Sequence, residues 1–454
     1  MNQNQTKELG SKPVGKLLFS LALPAITAQI INLLYNLVDR MYIGHIEHTG
    51  KLALTGVGIC LPLIMVISAF AALVAMGAAP RASIFLGKGN KEDAERTLGN
   101  STSLLLIISV VLTIFFLLFS EKLLMMFGGS KNTISYAVDY MTIYSLGTIF
   151  VQFTLGLNAF ISAQGFARTS MCTTLIGALC NLVLDPIFIF GLDMGVKGAA
   201  LATVLSQAVS TIWILRFLTG PKTTLKIRLK YLKLSKQIAL PGIALGLAPF
   251  IMQSTESLIS VCFNSSLLKY GGDLAVGSMT ILTSVMQFAM LPLNGLTQGS
   301  QPIISYNFGA KNAERVKKTF YLLLLSCVTY STLLWLSVML FPKMFVLIFN
   351  NNSDLVRFTS HALRIYMATT CIFGVQIACQ QTFIALGNAR TSLFLALLRK
   401  IILLIPLIYI MPLIYSGDKT TAVFMAEPVA DILAVTTTAI LFRMQFRRTM
   451  KELN

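Results

Sequence analysis

The chain has 454 residues, of which 55% are hydrophobic and only 12% are charged, and its formal net charge is +18. A soluble chain of this length cannot hide so many apolar side chains in a core, so the composition excludes an ordinary soluble protein and indicates an integral membrane protein. The basic excess is typical of membrane topology, with lipid of the bilayer as the expected partner and no nucleic acid.

Twelve apolar segments follow one another along the chain. Each is long enough to cross a hydrocarbon layer of about 30 Å, which takes roughly 20 helical residues. They lie at about 17–43, 52–79, 98–119, 135–163, 170–191, 197–218, 238–266, 274–300, 319–340, 358–386, 391–415 and 420–442. Such segments are unlike the short alternating strands of outer-membrane barrels. We therefore predict an all-α integral membrane protein with twelve transmembrane helices, because backbone groups in lipid must bond internally.

The chain also repeats itself, since residues 17–235 are matched in order by residues 238–450. The stretch GAAPRASIFLGKGNKEDAERTL from Gly77 reappears 222 residues later, from Gly299, as GSQPIISYNFGAKNAERVKKTF. The same offset places QGFARTS over LGNARTS. Each copy holds an even number of segments, so the copies are predicted to be parallel repeats with a substrate site between them.

The predicted organisation has five parts. They are a cytoplasmic tail at 1–16, an N-lobe at 17–218, a cytoplasmic linker at 219–237, a C-lobe at 238–442 and a cytoplasmic tail at 443–454. We count 26 of the 36 basic residues on the side that holds both termini, and the positive-inside rule therefore makes this side cytoplasmic. The Leu/Lys alternation of the linker suits either an amphipathic segment on the bilayer surface or a solvated connection.

Polar residues line one face of the first segment. Gln29, Asn32, Asn36 and Asp39 recur at i, i+3, i+7 and i+10. A polar stripe that faces lipid would be costly, so this face is predicted to line a watery cavity. The alternative is a set of hydrogen bonds that hold helices together.

The fifth segment contains CNLVLDPIFIF, in which Asn181 and Asp185 are one helical turn apart. Pro186 denies the helix one bond and frees the carbonyl of Leu182, so this turn can offer several oxygens together. Thr203 in the sixth segment can add a hydroxyl. Na⁺ needs several such ligands and a proton needs one carboxylate, and the sequence leaves both open, as well as a hinge-stabilising role without an ion.

In the second copy, Glu256 aligns with Asp39 and Gln253 with Asn36. A carboxylate within an apolar helix indicates function by default, with internal pairing as the alternative. Glu427 and Asp431 share a face of the twelfth segment, where function and a buried structural network are both open. The predicted substrate-binding residues are Asn36, Asp39, Gln253, Glu256, Gln287 and Met290.

Four motifs together resemble one known family. They are NLVDRMYIG around Asp39, GxxPRxSxxxGKGN after the second segment, NLVLDP in the fifth segment and the ARTS loops. Over essentially its whole length the chain resembles the multidrug and toxic compound extrusion (MATE) family, and it looks closest to the MepA-like bacterial branch. The resemblance implies a two-lobe fold with a central cleft, in the cytoplasmic membrane of a bacterium. It also implies efflux of amphipathic, mostly cationic organic compounds in exchange for Na⁺ or H⁺, with no other cofactor.

The resemblance further implies that Asp39, Asn181, Asp185 and Thr203 hold the coupling cation, as the only possible metal site, and that Glu256 has a role in the C-lobe. A tenth-span Asp of some relatives has no counterpart, because this span offers Gln376, Gln380 and Gln381 instead. That departure counts against ion binding in the C-lobe.

Other functions fit less well. A flippase for lipids or lipid-linked precursors would need a strongly cationic cavity, whereas the charges within the segments look mainly acidic. A membrane-bound transferase lacks a paired acidic metal motif or a His-centred constellation, so the chain is predicted not to be an enzyme. A major-facilitator transporter would carry a DRxGRR-like loop, and an ion channel does not suit two similar lobes. A bundle of twelve helices can work as a monomer, which is the expected state.

Overall fold

The computed structural model describes residues 3–47 and 49–453, so Met1, Asn2, His48 and Asn454 of the predicted tails and loops lie outside it. In this part of the chain, nine helices are long and apolar enough to cross a membrane, and two bent helix pairs add two more spans. One of the nine, Lys236–Gly309, has 74 residues and breaks at Gly272, where φ is 64°, so it contains two spans. The described residues thus form twelve spans, and the predicted all-α fold is confirmed.

The first six spans form the N-lobe. In chain order they are Val14–Gly44, Gly50–Gly87, Lys91–Met126, the pair Ile134–Leu146 and Thr148–Ala163 bent by 57°, Ala167–Gly191, and Gly195–Thr219. The fourth span bends at Gly147, which packs so tightly against the side chain of Val204 that a β-carbon would not fit there.

The last six spans form the C-lobe. They are the two parts of Lys236–Gly309 before and after Gly272, Ala313–Leu340, the pair Ser353–Tyr366 and Thr370–Ala385 bent by 48°, Ala389–Ile414, and Lys419–Leu453. The short helix Pro342–Leu347 leads from the ninth span to the tenth.

The lobes touch each other from the middle of the spans toward the side of the termini. Phe70 of the second span packs edge-on against Phe250 of the seventh, with 5.0 Å between ring centroids. Nearer the termini, the hydroxyl of Ser83 donates a hydrogen bond of 3.3 Å to the carbonyl oxygen of Pro302. Toward the other side, Asn36 is exposed on the first span.

The repeated GAAPRASIFLG and GSQPIISYNFG stretches form the closest part of this contact. A β-carbon on Gly87 would collide with the carbonyl oxygen of Tyr306, and one on Gly309 would collide with the carbonyl oxygen of Ile84. Gly87 and Gly309 are repeat equivalents 222 residues apart, and so are Ile84 and Tyr306. The second and eighth spans therefore meet backbone to backbone in a pseudo-twofold contact, which small residues permit in membranes.

The helix Gln3–Ser11 joins the two lobes on the same side, although the sequence predicted only a polar tail there. Thr6 donates a 2.9 Å hydrogen bond to the carbonyl oxygen of Gln164 in the N-lobe. In the C-lobe, the amide of Asn307 donates to the carbonyl of Leu9 at 2.8 Å, and the Arg315 guanidinium donates to the same carbonyl at 3.1 Å. Arg315 also donates to the carbonyl of Lys12 at 2.8 Å, so it places a positive charge at the C-terminal end of this helix.

The predicted linker is fastened to the N-lobe at several points. The side-chain oxygen of Gln164 accepts hydrogen bonds from the backbone N–H groups of Thr224 and Leu225, at 2.9 and 2.8 Å. Leu225 is fully buried, and Arg228 pairs with the buried carboxylate of Glu95 at 2.6 Å.

Gly87→Ala is expected to open the closed side, because its methyl group must displace the backbone of Tyr306. Spin labels at the exposed, repeat-equivalent positions Glu92 and Glu314, in a background without the native cysteines, should move apart in this variant. Gly277→Ala is the matched control, since a β-carbon there meets nothing within 4 Å. An unchanged distance in Gly87→Ala would show that backbone approach does not hold this side shut.

Arg315→Gln is expected to loosen the N-terminal helix, because it removes charge-assisted hydrogen bonds worth about 1.5–3 kcal/mol. Amide hydrogen exchange of residues 3–11 should accelerate by roughly tenfold or more. Lys318→Gln is the control, because Lys318 is exposed on the same helix as Arg315. This variant should leave the exchange of residues 3–11 unchanged. Equal exchange in both variants would contradict the bridging role of Arg315.

Candidate functional site

The first, fifth and sixth spans bring Asp39, Asn181, Asp185 and Thr203 together inside the N-lobe. The amide nitrogen of Asn181 lies 3.2 Å from Oδ1 of Asp185 and 3.5 Å from the hydroxyl of Thr203, and donates to both. The carboxyl groups of Asp39 and Asp185 face each other closely enough for a proton to join them in a hydrogen bond. The four residues that were predicted to bind the coupling cation thus lie together in the structure.

Two oxygens of this cluster have no partner. Oδ1 of Asp39 and Oδ2 of Asp185 are buried and accept no hydrogen bond within the described residues. Two facing carboxylates without a bonded cation repel each other, and a buried charge is costly unless it is paired. A proton or a Na⁺ ion fits this set, because the carboxylates supply the charge and the hydroxyl oxygen of Thr203 is a neutral ligand of the kind that hard cations prefer.

The local backbone explains how Asp185 reaches this position. Pro186 cannot donate a backbone hydrogen bond, and the helix widens into π-helical turns over Ile187–Gly191 directly after it. Such turns are rare and are frequent at functional sites. The carboxylate therefore stands where the regular hydrogen-bond ladder of the fifth span ends.

Tyr140 is a neighbour of this cluster that the sequence analysis missed. Its buried hydroxyl lies near Thr203 and Asp39, and its ring stacks on Tyr144 with 6.1 Å between centroids. Two tyrosines at i and i+4 in an apolar segment were the available signal, but no sequence motif shows that this part of the fourth span packs against the sixth span.

The C-lobe contains a buried charge network instead of a bare pair of carboxylates. The guanidinium of Arg399 donates to Glu427 at 2.9 Å and to Asp431 at 2.8 Å. It also lies over the ring of Phe373, 4.5 Å from its centroid. Of the two alternatives for Glu427 and Asp431, the structure thus supplies the buried network.

Lys400 holds the third carboxylate of the C-lobe, since its ammonium nitrogen lies 2.7 Å from Oε1 of Glu256. Adjacent residues of a regular α-helix point about 100° apart. The eleventh span is π-helical over Leu398–Leu404, and within this segment both Arg399 and Lys400 are buried.

These two cations correct the sequence analysis. Arg399 and Lys400 were among the 26 basic residues counted on the side of the termini, but both lie within the eleventh span, which leaves 24 of the 36 there. The expectation that the charges within the spans are mainly acidic is therefore wrong for the C-lobe. Three carboxylates on two other spans stabilise these cations, and that partnership is not visible in the segment itself.

Four of the six predicted substrate-binding residues are exposed, which is unusual for polar residues of membrane spans and would suit a water-filled cleft. Asn36 on the first span, Gln253 and Glu256 on the seventh, and Gln287 on the eighth are exposed in the middle of apolar spans. Polar groups at this depth are stable only where they face water, so we expect these residues to line an aqueous cleft between the lobes. Met290 differs, because it is half-buried against the hydrophobic core of the C-lobe.

A family model described as MatE matches residues 24–187 and, a second time, residues 249–410. The chain belongs to the MatE family. The two matches fall on the two lobes, and the predicted family is confirmed. MatE proteins are transporters, so the prediction that the chain is not an enzyme is confirmed as well.

Relatives match the chain from end to end. The multidrug export protein MepA of Staphylococcus haemolyticus is 24% identical over 436 residues, which cover 96% of this chain and 95% of that protein. MepA of Staphylococcus aureus strain MSSA476 is 24% identical over 418 residues, or 92% of this chain and 91% of that one. These matches confirm the MepA-like assignment.

Solved structures share the fold. The MATE multidrug transporter DinF-BH, solved in complex with a ligand, is 34% identical, with a TM-score of 0.88 and coverage of 96% of each chain. A MATE structure in the bent conformation is 23% identical, with a TM-score of 0.92 and coverage of 99% of each chain. An outward-facing multidrug resistance transporter of the MATE family has a TM-score of 0.89 at 24% identity and covers 97% of this chain and 98% of that one.

Arg399→Met is expected to destabilise the protein by about 3–5 kcal/mol, because it leaves Glu427 and Asp431 buried without a cation. Equilibrium unfolding in a denaturing detergent measures the change. The triple variant Arg399→Met, Glu427→Gln, Asp431→Asn should recover most of the loss, since no charge is then left unpaired. Arg390→Met, at an exposed position of the same span, is the control. A loss that the triple variant does not recover would contradict the electrostatic explanation.

Proposed function

We propose that this protein is a cation-coupled multidrug efflux antiporter, which exports amphipathic, mostly cationic organic compounds in exchange for Na⁺ or H⁺. The observation that carries the proposal is the pair of facing carboxylates of Asp39 and Asp185, each with a buried oxygen that lacks a partner in the described residues. The names of the relatives support it, since MepA is a multidrug export protein and DinF-BH is a multidrug transporter.

Coupling follows from competition for negative charge. A Na⁺ ion or proton between Asp39 and Asp185 neutralises two carboxylates that otherwise repel each other within the lobe. Asp39 belongs to the same helical face as Asn36, which lines the cleft. An organic cation that reaches this face of the first span competes for the carboxylate of Asp39. A bound drug therefore weakens the binding of the ion, and a bound ion weakens the binding of the drug.

Alternating access follows from the contacts between the lobes. In this conformation the lobes are closed on the side of the termini by the Gly87 and Gly309 contacts and by the N-terminal helix. The basic bias supports a cytoplasmic position of the termini in a bacterial cytoplasmic membrane. The open cleft then faces outward, where drug leaves and the coupling ion enters, and rocking of the lobes about the cleft exposes it to the cytoplasm.

The salt bridges within the C-lobe argue against coupling of an ion in that lobe. Its carboxylates Glu256, Glu427 and Asp431 already hold the two internal cations, Arg399 and Lys400. Lipid flipping, the alternative function, is less well supported for a related reason. A phosphate headgroup requires cations that are free to bind it, and the two cations buried in the eleventh span are both paired.

Asp39→Asn is expected to abolish gradient-driven efflux, because asparagine keeps the shape of the side chain but loses the charge for which ion and drug compete. Efflux of a fluorescent lipophilic cation from proteoliposomes is measured with an inward Na⁺ gradient and an inward H⁺ gradient imposed separately. One gradient should drive efflux in the wild type, and the rate should fall at least about tenfold in the variant. Asp139→Asn, a partly exposed carboxylate that pairs with Lys197 on the N-lobe, is the matched control.

The two gradients also discriminate between the functions. Efflux driven by one gradient and lost in Asp39→Asn identifies the coupling ion and assigns coupling to the N-lobe. If the folded wild type shows no efflux with either gradient, the antiporter proposal fails, and lipid flipping becomes the leading function.

A further inference from the structure

Glu256 combines an exposed carboxylate with a buried partner. Its side chain is 52% exposed, whereas the side chain of Lys400 is only 9% exposed, and 2.7 Å separates the ammonium nitrogen from Oε1. Lys400 therefore reaches its partner from inside the lobe, and the other flank of the carboxylate is open to solvent.

This open flank lies on a part of the seventh span that comes near the N-lobe. Gln253 and Ser260, about one turn before and one turn after Glu256, are exposed on the same span. Next to Glu256, the hydroxyl of Ser257 lies 3.9 Å from the sulfur of Met65 in the second span. Glu256 thus stands on the wall of the cleft where the two lobes come near each other.

The charges of the C-lobe are divided between two separate groups. Arg399 takes both Glu427 and Asp431, and Lys400 takes Glu256. Lys400 donates no other side-chain hydrogen bond to the described residues. If its ammonium group were removed, Glu256 would become a carboxylate in the cleft without a cation.

We propose that Lys400 is a tethered competitor, whose ammonium group fills the cation-binding position that Glu256 offers to the cleft and thereby sets which substrates the C-lobe accepts. The inference rests on the proposed transport of organic cations. A substrate with a lone positive charge gains little at Glu256, because the ammonium group of Lys400 already neutralises that carboxylate and repels a second cation. A substrate that carries an anionic group beside its cation is repelled less, so this position favours zwitterions over simple cations.

The test uses two probes of nearly equal size and opposite charge, the tetraphenylphosphonium cation and the tetraphenylborate anion. Their Kd values are measured on the full-length protein in nanodiscs. Lys400→Met should tighten binding of the cation about tenfold, because Glu256 is then free to pair with it. Glu256→Gln should do the reverse, with weaker cation binding and tighter anion binding. The double variant should bind both probes within about twofold of the wild type.

Lys343→Met is the control, since it removes one exposed lysine outside the cleft and should leave both Kd values unchanged. A purely structural salt bridge would give a different result, because both single variants would then weaken binding of both probes or leave it unchanged. Either pattern overturns the proposal. If Lys400→Met does not fold, the opposite shifts expected in Glu256→Gln and their reversal in the double variant still decide it.

Failure of this inference is distinguishable from failure of the proposed function. If the wild type binds the cation, Asp39→Asn loses that binding and Lys400→Met changes nothing, only the role of Lys400 is wrong. If no variant and no wild-type protein binds the cation, the export of organic cations fails together with the inference.

Discussion

The architecture depends on a backbone contact between the second and eighth spans. Gly87 and Gly309 each lie against a carbonyl oxygen of the other lobe, and the two contacts are related by the internal repeat. Membrane helices gain no hydrophobic driving force from meeting each other, so close approach of small residues and hydrogen bonds must hold the lobes together. Because this contact lies on the side of the termini, it fixes which side of the cleft is shut and which side is open.

The lobes share a fold but differ in how their buried carboxylates are paired. In the part of the N-lobe that the structure describes, Asp39 and Asp185 have no internal cation as a bonded partner, which suits a site that an external ion fills and leaves. The C-lobe supplies its own cations from neighbouring residues of the eleventh span. A symmetric fold therefore carries an asymmetric charge distribution, and this asymmetry supports the proposed coupling in the N-lobe.

The sequence predicted the parts of this arrangement that depend on local pattern. Twelve apolar segments, the repeat and the helical spacing of Asn181 and Asp185 are each readable within one segment or by comparing the copies. The positions of Arg399 and Lys400 were not predicted, because a cation within an apolar run is stable only if carboxylates from distant segments reach it. The N-terminal helix was missed for a similar reason, since Arg315 and Asn307 lie about 300 residues further along the chain.

The buried cations of the eleventh span have a consequence for how the protein enters the membrane. An Arg or Lys at the centre of a spanning helix costs about 2.5–3.5 kcal/mol at insertion, so a segment with both residues inserts poorly alone. The partners of Arg399 are on the twelfth span, which is synthesised last, and the partner of Lys400 is on the seventh. We therefore expect the eleventh span to become stable in the bilayer only when the twelfth follows it, so that these two helices insert as a pair against the seventh.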